Sequence, residues 1–209
     1  MARSTAIRER PTARTRGLRS LVRALDEIVD AGLSPASEAA WAGRLLPSAL
    51  ADDALLEPRH QEPWDDRYRP HLVHVHPEGR YSIVALVWKP GQATPIHDHR
   101  CWCVVGVWRG VEQETNYELF GSRSGPYLMQ RRTGLTRRGD VSVLVPPEED
   151  IHRVENAGDD VAISIHVYGD DIGVHGSSVN RVFEDGLVRP SHPADVGRIS
   201  WRALDAPRA

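Results

Sequence analysis

From Pro63 onward, glycine and proline divide the chain into short apolar runs, and this pattern limits the folds that it can adopt. The run at 80–89 ends at Pro90-Gly91, and the run at 161–168 ends at Gly169. Short runs of β-branched residues between turn residues predict β-strands. The predicted strands are 71–76, 80–89, 101–109, 111–120, 127–130, 141–145 and 161–168. This spacing favours a mainly β sandwich or barrel.

The first quarter of the chain has a helical pattern instead. Residues 16–30 carry an apolar face at helical spacing, formed by Leu18, Leu21, Val22, Leu25, Ile28 and Val29. A second helical region is predicted at 36–46 and 48–56, opened by Ser34-Pro35. The sequence therefore predicts a helical segment over 16–62 and a β-barrel over 63–184.

Both ends of the chain have a polar or irregular composition. Residues 1–15 are rich in arginine and are predicted to form a disordered tail. Residues 185–209 contain several prolines and are predicted to form an irregular C-terminal tail. We expect neither tail to belong to the barrel.

Charge and hydropathy exclude several classes of protein. The 209 residues carry a formal net charge of −3, so no net basic field attracts nucleic acid. No apolar run approaches the length of a membrane span, and the N-terminus has no apolar signal core. The only cysteines, Cys101 and Cys103, are too close in sequence to form a secretory disulfide framework. We expect a cytoplasmic protein whose partners include neither nucleic acid nor a membrane.

The segment from Gly91 to His99, GQATPIHDH, carries the chemistry. His97 and His99 are two residues apart, and on an extended chain they project to the same side. The best candidate for a third metal ligand is His152, in the segment PPEEDIHRVEN over 146–156. Three imidazole ligands leave coordination positions open, as an iron oxygenase requires.

A lone histidine in a strand is usually a surface residue or is hydrogen-bonded internally. We interpret His71, His74 and His76 in this way.

The two histidine blocks resemble the paired motifs of the cupin superfamily, G-x5-H-x-H-x3-E-x6-G and a later block that ends in H-x3-N. Gly91, His97, His99 and Gly110 match the first motif, and His152 and Asn156 match the second. The usual glutamate position is Cys103, a replacement that is a feature of the cysteine dioxygenase family. The resemblance to that family extends from the helical N-terminus to about residue 183. It implies a cupin double-stranded β-helix, or jelly-roll barrel, with N-terminal α-helices.

The resemblance also implies an activity. The protein would be a non-haem Fe(II) thiol dioxygenase with His97, His99 and His152 as the metal ligands. Its partners would be a small thiol and O2, with both oxygen atoms transferred to sulfur to give a sulfinic acid.

The strand at 161–168 supports this interpretation. Period-two alternation puts Ser164, His166 and Tyr168 on one face and aliphatic residues on the other. The alternation alone is equally compatible with a solvent-exposed face. Ser-x-His-x-Tyr resembles the outer relay of thiol dioxygenases, in which the Tyr168 hydroxyl would face the substrate, His166 would bond Tyr168 and Ser164 would orient His166.

Cys103 matches the cysteine that becomes joined to this tyrosine in animal-type members of the family. The resemblance therefore implies that a Cys103–Tyr168 thioether can form. The alternative is a buried free thiol with a packing role.

The sequence leaves the identity of the thiol open. The arginine that binds the substrate carboxylate in animal-type cysteine dioxygenases aligns with Pro70, which has no side-chain donor. Arg69, Arg181 and His71 are the candidates for binding the substrate instead, with Arg67 and His175 as further options. Cysteine, 3-mercaptopropionate and an ergothioneine-like thiol are all compatible, the last because Asp170-Asp171 follows the relay and a trimethylammonium group prefers acidic and aromatic surroundings.

Two other functions share part of this pattern. A cupin enzyme that acts on carbon would keep the three histidines but would not need Ser-x-His-x-Tyr or Cys103. A non-catalytic binding cupin would be expected to lose a metal ligand or a relay residue, and none is missing here.

Overall fold

The computed structural model describes residues 15–123, 125–147 and 150–189. The predicted disordered tail, except for Thr15, and residues 190–209 of the predicted C-terminal tail lie outside these ranges. Residues 185–189 are described, and they form a short 3-10 helix, Asp185–Leu187, and a two-residue strand, Val188–Arg189.

Helix α1, Arg16–Asp30, confirms the first helical prediction. Thr15 begins it by accepting a hydrogen bond from the backbone N–H of Leu18 at 3.2 Å. Its apolar face is buried through Leu18, Leu21, Leu25 and Val29. No helix in the described ranges combines the length and hydropathy needed to cross a bilayer.

Helix α2, Pro35–Leu50, differs from the prediction because it continues through Pro47 and ends before residue 56. The predicted division into 36–46 and 48–56 is wrong. Leu46 and Leu50 pack closely on Gly106, where an added Cβ would lie 2.8 and 2.6 Å from their methyl groups. Tertiary burial of this face outweighs the local cost of a proline inside the helix.

Eleven strands account for most of the rest of the described chain. They are β1 Arg69–Val75, β2 Ser82–Trp88, β3 Ile96–His99, β4 Cys103–Arg109, β5 Val111–Phe120, β6 Tyr127–Arg137, β7 Val141–Leu144, β8 Ile151–Asn156, β9 Ala162–Tyr168, β10 Val179–Phe183 and β11 Val188–Arg189. A short helix α3, Ile172–His175, follows β9. The seven predicted strands are present, β5 with the predicted bounds and the other six with shifted ends, whereas β3, β8, β10 and β11 were not predicted as strands.

The strands form two sheets, in the orders β1-β2-β9-β4-β7 and β10-β3-β8-β5-β6-β11. All pairings are antiparallel except β11 with β6. This arrangement confirms the predicted mainly β fold with N-terminal helices.

Strand β9 lies in the middle of the first sheet and separates two apolar clusters. Its outward residues, Ile163, Ile165 and Val167, pack with the helices in one buried cluster. The inward face is shared with residues of β2 and β4 in a second cluster. The stripe of Ser164, His166 and Tyr168 is therefore enclosed in the barrel, with at most 6% of each residue exposed, and does not face solvent.

Candidate metal centre

Three histidine rings converge on the inner face of the second sheet. Strand β3 supplies His97 and His99, and β8 supplies His152, which is the cross-strand partner of His97. The ring centroids are 4.7 to 5.0 Å apart. One nitrogen from each ring lies within 4.8 Å of the others, and all three residues are buried. The spacing of β3 and its register with β8 therefore assemble a three-nitrogen site.

Carboxylates hold two of these rings from behind. His99 Nδ1 lies 2.7 Å from Asp150 Oδ1, and the backbone N–H of His99 donates to the other oxygen of Asp150, also at 2.7 Å. His152 Nδ1 lies 2.9 Å from Glu114 Oε1. A carboxylate behind an imidazole fixes Nδ1 as the protonated nitrogen and orients the ring.

The third ring is held by the backbone. His97 Nδ1 lies 3.0 Å from the carbonyl oxygen of Pro95, which can only accept a hydrogen bond. All three histidines therefore protonate Nδ1 and keep the lone pair of Nε2 available. This pattern fits a metal ion bound by three Nε2 atoms.

The electrostatic surroundings lower the pKa of two of the three imidazoles, those of His97 and His99. Burial, followed by the neighbouring His152 and His99, holds the pKa of His97 well below 6.5. Burial also lowers the pKa of His99, although Asp150 opposes this. For Glu114, burial alone would raise the pKa, but hydrogen bonds from His152 and Ser142 outweigh it and lower the pKa to about 2. Imidazoles of lowered pKa and the ionised carboxylate of Glu114 suit a divalent cation.

A hydrogen-bonded chain lies beside this site. Tyr168 Oη is 3.1 Å from His166 Nδ1, and His166 Nε2 is 3.0 Å from Ser164 Oγ. The Tyr168 ring centroid lies 6.3 Å from that of His99. The structure thus joins the three predicted relay residues in the predicted order and places them next to the histidine cluster.

Cys103 lies opposite Tyr168 in the pairing of β4 with β9 and is completely buried. Burial raises the pKa of its thiol well above 9, and the nearby Tyr168 hydroxyl offsets this only in part. A neutral thiol is therefore held against the tyrosine.

Comparison with known proteins identifies the family. The profile of the family described as "Cysteine dioxygenase type I" matches residues 12–172. The chain belongs to the cysteine dioxygenase type I family. Cysteine dioxygenase type 1 from Rattus norvegicus and from Mus musculus are each 26% identical to it over 92 residues, which is 43% of this chain and 45% of the relative. The match thus spans less than half the length of these relatives.

Solved structures at low similarity include a protein from Klebsiella pneumoniae with a double-stranded β-helix domain. It is 17% identical, and the match covers 57% of this chain and 92% of that chain with a TM-score of 0.42. A Cupin 2 conserved barrel domain protein from Salinispora arenicola is 18% identical, with coverage of 60% and 95% and a TM-score of 0.41.

In this family member the predicted substrate candidates on β1 turn away from the site. His71 pairs with Ala85, on the face that packs towards the helices, and its Nε2 lies 2.9 Å from the carbonyl oxygen of Glu62. Arg69 lies on the same face and bonds the Glu62 carboxylate at 3.2 Å. Strand alternation places Pro70 on the inward face instead. The structure therefore does not bring Arg69 or His71 to the histidine cluster.

Arg181 is also occupied elsewhere. Its guanidinium makes two hydrogen bonds, at 2.8 and 2.7 Å, to one carboxylate oxygen of Asp98. Asp98 is buried between the two histidines of β3 but points to the opposite face of the strand. Arg181 thus balances a buried charge behind the site.

The remaining polar candidates also have local roles. His175 Nε2 lies 3.5 Å from Asp170 Oδ1, and Asp171 caps α3 by accepting from the N–H of Val174 at 3.2 Å. His74 and His76 were expected to be surface or internally bonded residues, and both are buried beside Tyr81.

Sequence reasoning missed the groups that surround the site. Asp150 and Glu114 orient two rings, Trp88 donates to Ser164 Oγ at 3.2 Å, and the carboxyl group of Glu112 is buried. A signal existed for the glutamates, because Glu112 and Glu114 alternate along a strand and share one face. Their partners depend on strand order and could not be inferred.

Proposed function

We propose that the protein is a non-haem Fe(II) dioxygenase that uses O2 to oxidise a small thiol to its sulfinic acid. One observation carries the proposal: three inward Nε2 atoms lie beside a tyrosine that ends a hydrogen-bonded relay. Membership of the cysteine dioxygenase type I family supports it. A protein that only binds a metal ion would not need the hydrogen-bonded relay of Ser164, His166 and Tyr168.

The donor set fits Fe(II). His97, His99 and His152 would hold the ion, and the carboxyl groups of Asp150 and Glu114 lie just behind His99 and His152. When bound, Fe(II) would supply the activation of the thiol and of O2. None of the three ligands is a carboxylate, so no ligand would cancel the positive charge of the ion. An anionic thiolate would therefore bind to it favourably.

The chain's own groups complete the chemistry. The Tyr168 hydroxyl, held by His166, is placed to hydrogen-bond the substrate. Leu86, Val105 and Leu144 belong to the apolar cluster around Tyr168, so the hydroxyl group acts in largely apolar surroundings. Asp150 and Glu114 keep the rings in the orientation that metal binding requires.

The inward face of β1 determines which thiols fit. Pro70 and Leu72 pair with Leu86 and Val84, so the position that matches the family's arginine offers no charged group. Nearby, the Tyr68 ring lies 4.5 Å from that of Trp88. We propose that the substrate is cysteine, 3-mercaptopropionate or an ergothioneine-like thiol bound without an arginine clamp, and the aromatic pair favours the last of these.

The test is O2 consumption by the Fe(II)-loaded protein with each of the three thiols. We expect one thiol to consume O2 and to yield a sulfinic acid that carries two labelled atoms from 18O2. His152→Ala should abolish uptake, whereas the matched control His175→Ala, at a 45% exposed side chain, should not. Iron binding without uptake for any of the thiols would refute the proposed activity.

We also propose that Cys103 and Tyr168 become joined by a thioether during aerobic turnover. The cross-strand pairing of the two residues and the complete burial of Cys103 support it. The new bond joins sulfur to the ring carbon beside the hydroxyl, and O2 accepts the two protons and two electrons that are lost, giving hydrogen peroxide. Peptide mass spectrometry should find the crosslinked pair, lighter by two hydrogen atoms and missing from Cys103→Ser. Only separate, unmodified peptides after turnover would exclude the link.

A further inference from the structure

A row of cross-strand partners leads from the metal ligands to the exposed part of β6. Its members, in order from β3 to β6, are His97, His152, Asn116 and Arg132. Directly opposed residues project from the same face of a sheet, so Asn116 and Arg132 share the inner face with the two histidines. Neither residue belongs to the cupin motifs or to the relay, so their role has to be found from their contacts.

Hydrogen bonds connect the outer members of this row to His152. Arg132 Nε donates to Asn116 Oδ1 at 3.2 Å. Asn116 Nδ2 donates to Glu114 Oε1 at 3.3 Å. The same oxygen of Glu114 lies 2.9 Å from His152 Nδ1. An exposed guanidinium group is therefore three hydrogen bonds away from a metal ligand.

The guanidinium group fixes the direction of the whole chain. An arginine side chain can only donate, so the amide oxygen of Asn116 has to face Arg132. A half turn of the amide would exchange its oxygen and nitrogen and would put the oxygen against the Glu114 carboxylate. Because Arg132 holds the oxygen, the NH2 group of Asn116 faces Glu114 and donates to it.

Donors on three strands hold the Glu114 carboxylate in place. Besides Asn116 on β5 and His152 on β8, Ser142 on β7 donates from its hydroxyl to Glu114 Oε2 at 2.5 Å. The last side-chain torsion of a glutamate is otherwise loosely restricted, so each donor narrows its range. Without the Asn116 donor, Glu114 Oε1 would be less firmly held on the line to His152 Nδ1, and the ring would be less firmly oriented.

We propose that Arg132 and Asn116 are positioning residues for the metal ligand His152 and that they act on it in series through Glu114. Arg132 sets the direction of the Asn116 amide, and the amide holds the Glu114 carboxylate against the ring. Partners behind a ligand contribute to metal affinity because they orient it. This role in metal binding goes beyond the proposed function and does not depend on it, whereas any effect on turnover does.

The neighbouring Arg131 provides a matched control. Both arginines are exposed, and both line the same cavity of about 960 Å³ beside β6. Arg131 forms an ion pair with Glu118 at 3.2 Å. Arg131→Ala and Arg132→Ala each remove one positive charge from this cavity, but only Arg132→Ala removes a hydrogen bond of the chain. The difference between the two variants therefore excludes the general effect of charge on cation binding.

The first experiment is a double-mutant cycle on Fe(II) affinity, measured by anaerobic competition against a chelating dye. The loss of a partner behind a ligand weakens metal binding about tenfold to hundredfold, so we expect about tenfold for Asn116→Leu and about fivefold for Arg132→Ala. Arg131→Ala should stay close to the wild type. Because the two residues act in series, the double variant should bind Fe(II) no more weakly than Asn116→Leu alone.

Two results of this cycle would overturn the proposal. Independent effects would multiply to about fiftyfold in the double variant and would show that Arg132 does not act through Asn116. Equal Fe(II) affinities in Arg132→Ala and Arg131→Ala would show that the chain has no role. Arg132 is exposed, so this second comparison decides even if Asn116→Leu does not fold.

A local readout separates positioning from a general loss of structure. Nitrogen-15 and proton NMR of the zinc-loaded protein, labelled at histidine, follows each ring N–H group. We expect the Nδ1–H proton signal of His152 to move upfield in Arg132→Ala and in Asn116→Leu, because its hydrogen bond to Glu114 weakens. The signals of the other two ligand rings should stay in place. A shift of all three rings, or of none, would count against the proposal.

O2 uptake distinguishes a failure of this inference from a failure of the proposed function. If Arg132→Ala weakens Fe(II) binding and moves the His152 signal, but no thiol supports uptake by the wild type, the proposed activity fails and the positioning role stands. If the wild type consumes O2 with a thiol, but Arg132→Ala and Arg131→Ala bind Fe(II) equally well, the positioning role fails and the activity stands.

Discussion

Replacing Asp150 with asparagine tests how the carboxylates behind the ligands control the metal site. Asp150 accepts two hydrogen bonds of 2.7 Å from His99, one from Nδ1 and one from the backbone N–H. Asparagine has one acceptor oxygen, so one of these N–H groups would face the amide NH2 instead. The change removes one charge-assisted hydrogen bond from a fully buried pair, a loss of about 1.5 to 3 kcal/mol.

The lost bond is the one that orients a ligand, so the cost should fall on metal binding. We expect the dissociation constant for Fe(II) to rise about tenfold to hundredfold in Asp150→Asn, which corresponds to roughly 1.4 to 2.8 kcal/mol. Anaerobic competition against a chelating dye measures this, and circular dichroism establishes that the variant is folded. Asp159→Asn, at an exposed loop position, is the matched control. Affinity unchanged from the wild type in folded Asp150→Asn would refute the argument that the second oxygen atom and the charge fix His99.

Three further predictions concern the relay, the fold and the back of the site. Tyr168→Phe should lower kcat by about tenfold to hundredfold with little change in Fe(II) affinity, because only the hydroxyl beside His166 is lost; equal kcat values would remove the tyrosine from the mechanism. Gly110→Ala should lower the free energy of unfolding by about 1 to 3 kcal/mol in chemical denaturation, because φ is +80° and the new Cβ would lie 2.7 Å from Ala162 Cα. The control is Gly186→Ala, because no atom lies within 4 Å of a Cβ added there. Arg181→Ala should destabilise the fold by about 2 kcal/mol, because the buried Asp98 carboxylate loses its partner. Adding Asp98→Asn should recover part of this loss. A selective rise in KM at unchanged stability would instead assign Arg181 to the substrate.

Local periodicity carried much of the sequence prediction. Alternation in the strand at 161–168 correctly put Ser164, His166 and Tyr168 on one face, and helical spacing correctly placed α1. The pattern missed β8, because its charged residues obscure the alternation, and it divided α2 at Pro47. In both places, contacts with distant segments outweigh the local preference of the residues.

What the sequence alone determined is which side chains share a face, because the period of a strand or a helix is a property of the local backbone. Hence His97 and His99 could be paired without a structure. The tertiary structure alone decided which faces meet: the register of β3 with β8 brings His152 to that pair, and β5 brings Glu114 behind His152. It also assigned Arg69 and Arg181 to carboxylates away from the site, because a long side chain pairs with whatever charge the fold puts within its reach.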